Sequence, residues 1–153
     1  MTPVPSALAG VVSRGAAFTI DAVVALVAAT LGYEVALAAL RVLGIVSMSS
    51  ATDGTVLGYL LSLPILFAAY CAGFWALLGR TPGMMVFGLR VVTGEGDPPG
   101  PARSVVRALG YWVSAVALAG FAWIAIDRHR QGFHDKLAGT YVVYDWGGDG
   151  RPA

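Results

Sequence analysis

The stretch that decides the fold runs from Gly15 to Leu40, GAAFTIDAVVALVAATLGYEVALAAL, where the only charged side chains are Asp21 and Glu34. It is longer than the roughly 20 apolar residues a helix needs to cross a hydrocarbon core about 30 Å thick. Two further stretches pass the same test, Thr55 to Gly79 and Ser104 to Ile126. The composition of all 153 residues agrees: 57% hydrophobic, 12% charged, mean hydropathy +0.71. Soluble domains carry about 25% charged residues, so lipid is the expected solvent. A net charge of +1 gives no field suited to nucleic acid. The lone Cys71 allows no intramolecular disulfide and reads as a small packing residue. Met1 to Ser13 holds no cation ahead of the first apolar run, so the expectation is that this run stays in the mature protein rather than leaving as a signal peptide.

Outward from these runs lie two polar connections, Arg41 to Gly54 and Arg80 to Arg103. The second includes Thr93 to Gly100, whose Gly and Pro content is turn chemistry. Leu89 to Val92 and Thr140 to Tyr144 read as short strands that can pair if they share one side of the membrane. The predicted organisation is an N-terminal tail over 1–13, a membrane domain over 14–144 and a disordered tail over 145–153. At about 100° per residue, Arg14, Ala17, Ala25, Ala28 and Gly32 share the face of Asp21. Gly58, Ser62, Ala69, Gly73 and Ala76 form a similar stripe in the second run, which Pro64 is expected to kink. In the third run, Arg103 and Arg107 lead into Gly110, Ser114 and Ala117. Small residues in one stripe let membrane helices approach closely, and three stripes predict one compact bundle.

Basic residues should gather on the cytoplasmic side. With three full crossings the ten Lys and Arg divide evenly; if the third run enters and returns, breaking near Ala119 and Gly120, nine lie inside against Arg41 alone. The expected fold is therefore an all-α membrane protein: a small helical bundle of two full spans plus a third, re-entrant or spanning, hydrophobic segment, with a short cytoplasmic β pairing. The N-terminus is placed in the cytoplasm, and the chain in the plasma membrane as a multi-pass protein.

The candidate chemistry lies in charges among apolar helices. Asp21 is seven residues past Arg14, about 10 Å further along the helix. A carboxylate inside the hydrocarbon needs a partner or a task. Arg14 and Arg107 are the candidate partners, and the contest between burial and a nearby guanidinium over its charge is one that a proton or monovalent cation carrier can exploit. The alternative is that the same charges simply hold helices together. Glu34, nearly opposite Asp21 on the wheel, belongs to the far interface. The run Asp127 to Lys136, with His129 and His134, fits no zinc spacing and reads as a basic amphipathic segment at the lipid headgroups. No Walker loop, dinucleotide fingerprint, serine elbow or HExxH motif is present, so neither an enzyme nor a cofactor is expected.

Three motifs carry a resemblance: Arg14 with Asp21; Gly79-Arg80-Thr81-Pro82-Gly83 followed by Gly88-Leu89-Arg90-Val91-Val92; and Arg130 to Thr140, RQGFHDKLAGT, followed by Val142 and Val143. Over residues 14 to 143 the chain resembles the RDD family of bacterial and archaeal membrane proteins, named for an arginine and two aspartates. Met84 and Met85 stand where family members often carry basic residues. The resemblance implies Arg14 and Asp21 as family residues and Asp135 as the second aspartate, with Asp127 a nearby competitor. It implies transport of ligands not identified, cation and proton exchange among them. The functional residues expected are thus Arg14, Asp21, Arg107 and Asp135, with Asp127, His134 and Arg80 as secondary candidates and no metal site. A homo-oligomer is expected if transport is real, because two spans and part of a third leave little room for a pathway. The competing expectation is a non-transporting membrane scaffold or accessory subunit.

Overall fold

The computed structural model describes residues 8–46, 53–117 and 131–145. Helix α1 spans Val11–Val42 and α2 spans Asp53–Leu78, followed by the short α3 (Pro82–Val86), strand β1 (Leu89–Thr93), α4 (Gly100–Ala117), α5 (Phe133–Ala138) and strand β2 (Thr140–Tyr144). The chain divides into two units, one of Met1–Asp21 with Ala68–Ala153 and one of Ala22–Phe67.

The second unit consists of the far part of α1 and the near part of α2. Its apolar side chains are unburied: Val23, Leu26, Val27, Leu31, Leu57 and Leu61 are all exposed. Water would not tolerate such a surface, whereas lipid is as apolar as the side chains themselves. Both helices are long and apolar enough to cross a membrane, over Val11–Val42 and Val56–Leu78. Inside this unit Thr30 shares a hydrogen bond with the Tyr59 hydroxyl (2.7 Å), and the Tyr33 and Tyr59 rings lie 4.7 Å apart. The predicted small-residue stripes do not close here: a Cβ on Gly32 or Gly58 would meet nothing within 4 Å. On α1 only Arg14, Ala17 and Asp21 of the predicted stripe are buried. Pro64 lies within the continuous α2.

The first unit holds the core. Strands β1 and β2 pair antiparallel, with Val91 opposite Val142 and Leu89 opposite Tyr144. Leu8 bridges Val143 on the other edge of β2, and the Ala9 N–H donates to the Val142 carbonyl (2.9 Å). Asp145 joins the same ribbon: its N–H donates to Gly88 O (2.6 Å) and its carboxylate pairs with Arg90 (3.2 Å). The expected pairing of two short strands is present, and it brings the chain before α4 and the chain after α5 onto one ribbon. The expected break near Ala119 and Gly120, and the tail from residue 146 onward, lie outside the described residues.

Local chemistry explains the short helices. Gly79 takes φ 69° and ends α2. Thr81 then caps α3, its Oγ1 accepting from the Met84 N–H, and Pro82 supplies the fixed φ of the first helical turn. Asp135, in the first turn of α5, accepts the Gly132 N–H (3.0 Å). Gly139 (φ 62°, ψ 41°) ends α5 in the left-handed region. Of the amphipathic headgroup segment expected over Asp127 to Lys136, residues 127–130 lie outside the described residues; the described part forms α5, which packs against α4 with His134 and Asp135 inside and Phe133 and Lys136 exposed.

Candidate functional site

Three aspartates of the first unit are buried: Asp145 pairs with Arg90, and Asp21 and Asp135 are each held in a different way. Asp21, 3% exposed, projects from α1 toward the segment that follows α2. Its Oδ1 accepts the Gly83 N–H (2.7 Å) and the Tyr70 hydroxyl (3.0 Å), and its Oδ2 accepts the Thr81 hydroxyl (2.5 Å). All three donors are uncharged. The approach is close enough to exclude any side chain at position 83, where a Cβ would stand 2.2 Å from the Ala17 carbonyl oxygen and 2.8 Å from Asp21 Cγ. The Thr-Pro-Gly run is thereby explained atom by atom: hydroxyl donor and cap, helix starter, and bare backbone donor.

Asp135, fully buried, receives both guanidinium groups that were expected to serve Asp21. Arg14 Nη1 lies 2.5 Å from its Oδ2 and Arg107 Nη1 2.8 Å from its Oδ1. Arg107 also donates to Thr140 Oγ1 (3.1 Å), while its guanidinium carbon sits 4.5 Å from the centre of the Trp75 ring. Gln131 secures the same corner by donating to the Thr140 carbonyl (2.9 Å). His134 is packed on the Tyr111 ring, with centroids 4.2 Å apart. Burial alone would raise the Asp135 carboxyl, but Arg107 and Arg14, with the Gly132 N–H, outweigh it and hold it at about 2. For His134, burial and the two arginine charges prevail over the pull of Asp135 and push the imidazole down to about 4, so it is neutral at pH 7. The cluster therefore carries two positive charges on one negative.

The expected pairing of Asp21 with Arg14 or Arg107 is thus corrected. Arg14 shares the helix face of Asp21 but sits about 10 Å away along the axis, whereas Asp135 reaches it directly from α5. Arg80 is half-buried on the loop after α2 and makes no ion pair among the described residues. Asp127, the competitor for the second aspartate, lies outside the described residues, as do Arg128, His129 and Arg130. Met84 is buried and Met85 exposed. Tyr70, Thr81, Gly83, Thr140, Gln131 and Trp75 adjoin the two clusters and were not among the expected site residues. Thr81, Gly83, Gln131 and Thr140 lie in the motifs that carry the family resemblance, and the Thr-Pro-Gly capping signal points to the first two; nothing in the sequence marks Tyr70 or Trp75.

Two long apolar helices joined to a compact unit with a buried charged core describe a small membrane protein. The chain belongs to the RDD family, whose profile matches residues 8–139. That span begins at the Leu8 bridge and ends at the Gly139 cap, so it takes in Asp21 and Asp135. Comparison with curated proteins gave no match, and neither did comparison with solved structures.

Proposed function

We propose that this RDD protein exchanges protons across the plasma membrane, with Asp21 as the carboxyl that gains and loses the proton. One observation carries the reading: Asp21 is a buried carboxyl that accepts hydrogen bonds from Gly83, Tyr70 and Thr81, all neutral donors, while the guanidiniums of Arg14 and Arg107 are taken by Asp135. Asp135 is tied by charge to two arginines, whereas no ion pair to Asp21 forms among the described residues. Among the described residues no three His, Cys, Asp or Glu side chains stand close enough to share a metal.

The pairing of β1 with β2 supports a returning third segment, because a single full crossing would leave the two strands on opposite sides. Leu8 on the same ribbon supports a common side for the N-terminus, and the distribution of nine basic residues against Arg41 makes that side the cytoplasm. In this reading the protein is a homo-oligomer in which neighbouring copies complete the pathway, because two spans and part of a third leave little room for one in a single copy.

A second reading, a membrane scaffold without transport, is favoured by the way Asp21 fastens α1 to the segment after α2. Asp21→Asn separates the two. The Asn carbonyl keeps the Gly83 and Tyr70 donors, and its NH2 can donate to Thr81, whose hydroxyl accepts in turn, so the variant should fold with a loss of about 1 kcal/mol. In proteoliposomes with an internal pH dye, the native chain should dissipate an imposed pH gradient and the Asn variant should not. A native chain that leaves the gradient intact, in a preparation retaining its fold, supports the scaffold instead.

A further inference from the structure

Helices α4 and α5 are amphipathic in the reverse of the usual sense. In α4, Ser104 and Arg107 face inward, while Val105, Val106 and Leu109 are exposed along one side. In α5, His134 and Asp135 face inward, while Phe133 and Leu137 are exposed. A surface helix in water turns its apolar stripe to the core and its charges outward. The two helices meet closely, since a Cβ on Gly110 would stand 3.0 Å from His134 Cα and 3.5 Å from Leu137 Cδ1. Their outward apolar side chains therefore belong to one surface. The charged residues exposed on these helices, Arg103 and Lys136, are both basic; α4 has no acidic residue, and the only one in α5, Asp135, is buried.

We infer that this surface lies in the headgroup and acyl boundary of the membrane, with Val105, Leu109, Phe133 and Leu137 among the acyl chains and Arg103 and Lys136 on the phosphates of anionic lipids. An apolar face sunk about 5–10 Å into the boundary, rimmed by cations, is how interfacial helices bind, and each basic residue near an anionic surface adds to the attraction. The polar core of Arg14, Arg107 and Asp135 is then sealed on this side by lipid rather than by water. The inference rests on the exposed faces and on membership of a membrane protein family, and stands whether or not Asp21 carries protons.

Full-length protein with Cys71→Ala and either Leu109→Cys or Leu137→Cys, labelled with an environment-sensitive fluorophore, tests it in phosphatidylcholine vesicles with and without phosphatidylglycerol. Both labels should emit at shorter wavelength than a label at Glu95→Cys on the exposed β1–α4 turn, and a shallow spin-labelled lipid should quench them more than a deep one or aqueous iodide. Arg103→Gln with Lys136→Gln should abolish any preference for phosphatidylglycerol. Quenching by iodide as strong as at Glu95→Cys would overturn the inference. So would quenching strongest from the deep lipid, which would mean a span, or protection from every quencher with cross-linking between copies, which would mean a protein interface.

Discussion

Asp135→Asn should be among the most damaging single substitutions in the chain, costing about 3–5 kcal/mol, the range for removing one partner of a buried ion pair. The reason is charge. Arg14 and Arg107 are both buried and both rest on this carboxylate. An amide offers one acceptor oxygen and no charge, so two guanidiniums are left facing each other in a site that water does not reach. The Gly132 N–H that Asp135 accepts at the start of α5 is weakened as well. Equilibrium unfolding in mixed micelles would measure the loss. A cost under about 1 kcal/mol would mean that the two arginines find other partners, against the geometry described.

Gly83→Ala should be nearly as severe for a different reason. The new methyl would overlap the Ala17 carbonyl, a backbone atom of α1 that cannot rotate away. Overpacking typically costs about 1–3 kcal/mol, and the Gly83 N–H must also withdraw from the Asp21 carboxyl, a charge-assisted bond worth about 1.5–3 kcal/mol. Gly32→Ala is the matched control, because a Cβ there meets nothing and Ala is the better helix former. Unfolding measurements on the pair should show a large loss at position 83 and none at position 32.

Much of the fold could be read from composition and periodicity. Length and the scarcity of charge pointed to three apolar segments, of which the first two are helices long and apolar enough to cross a membrane, and the β-branched runs at Leu89 and Thr140 pointed to paired strands. The wheel correctly grouped Arg14, Ala17 and Asp21, which are the buried residues of α1. Its extension to Ala28 and Gly32 failed, because helical periodicity describes which side chains share a face and not what covers it. The pairing of charges was illegible for a related reason. Spacing along α1 relates Arg14 to Asp21, but the contact that forms joins residues 121 positions apart, and only the folding of α5 onto α4 brings them together. The short α3 and α5 escaped notice because five or six residues carry too little periodic signal, although Thr81-Pro82 and the Gly139 stop are recognisable once the helices are known.

The assignment of Asp21 to proton exchange depends on its standing apart from the arginines. Double-mutant cycles measure that directly. Combining Arg14→Gln with Asp135→Asn should give a coupling well above about 0.5 kcal/mol, as residues in contact do, while combining Arg14→Gln with Asp21→Asn should be additive within about 0.5 kcal/mol, as separated sites are. Strong coupling between Arg14 and Asp21, with none to Asp135, would contradict the account.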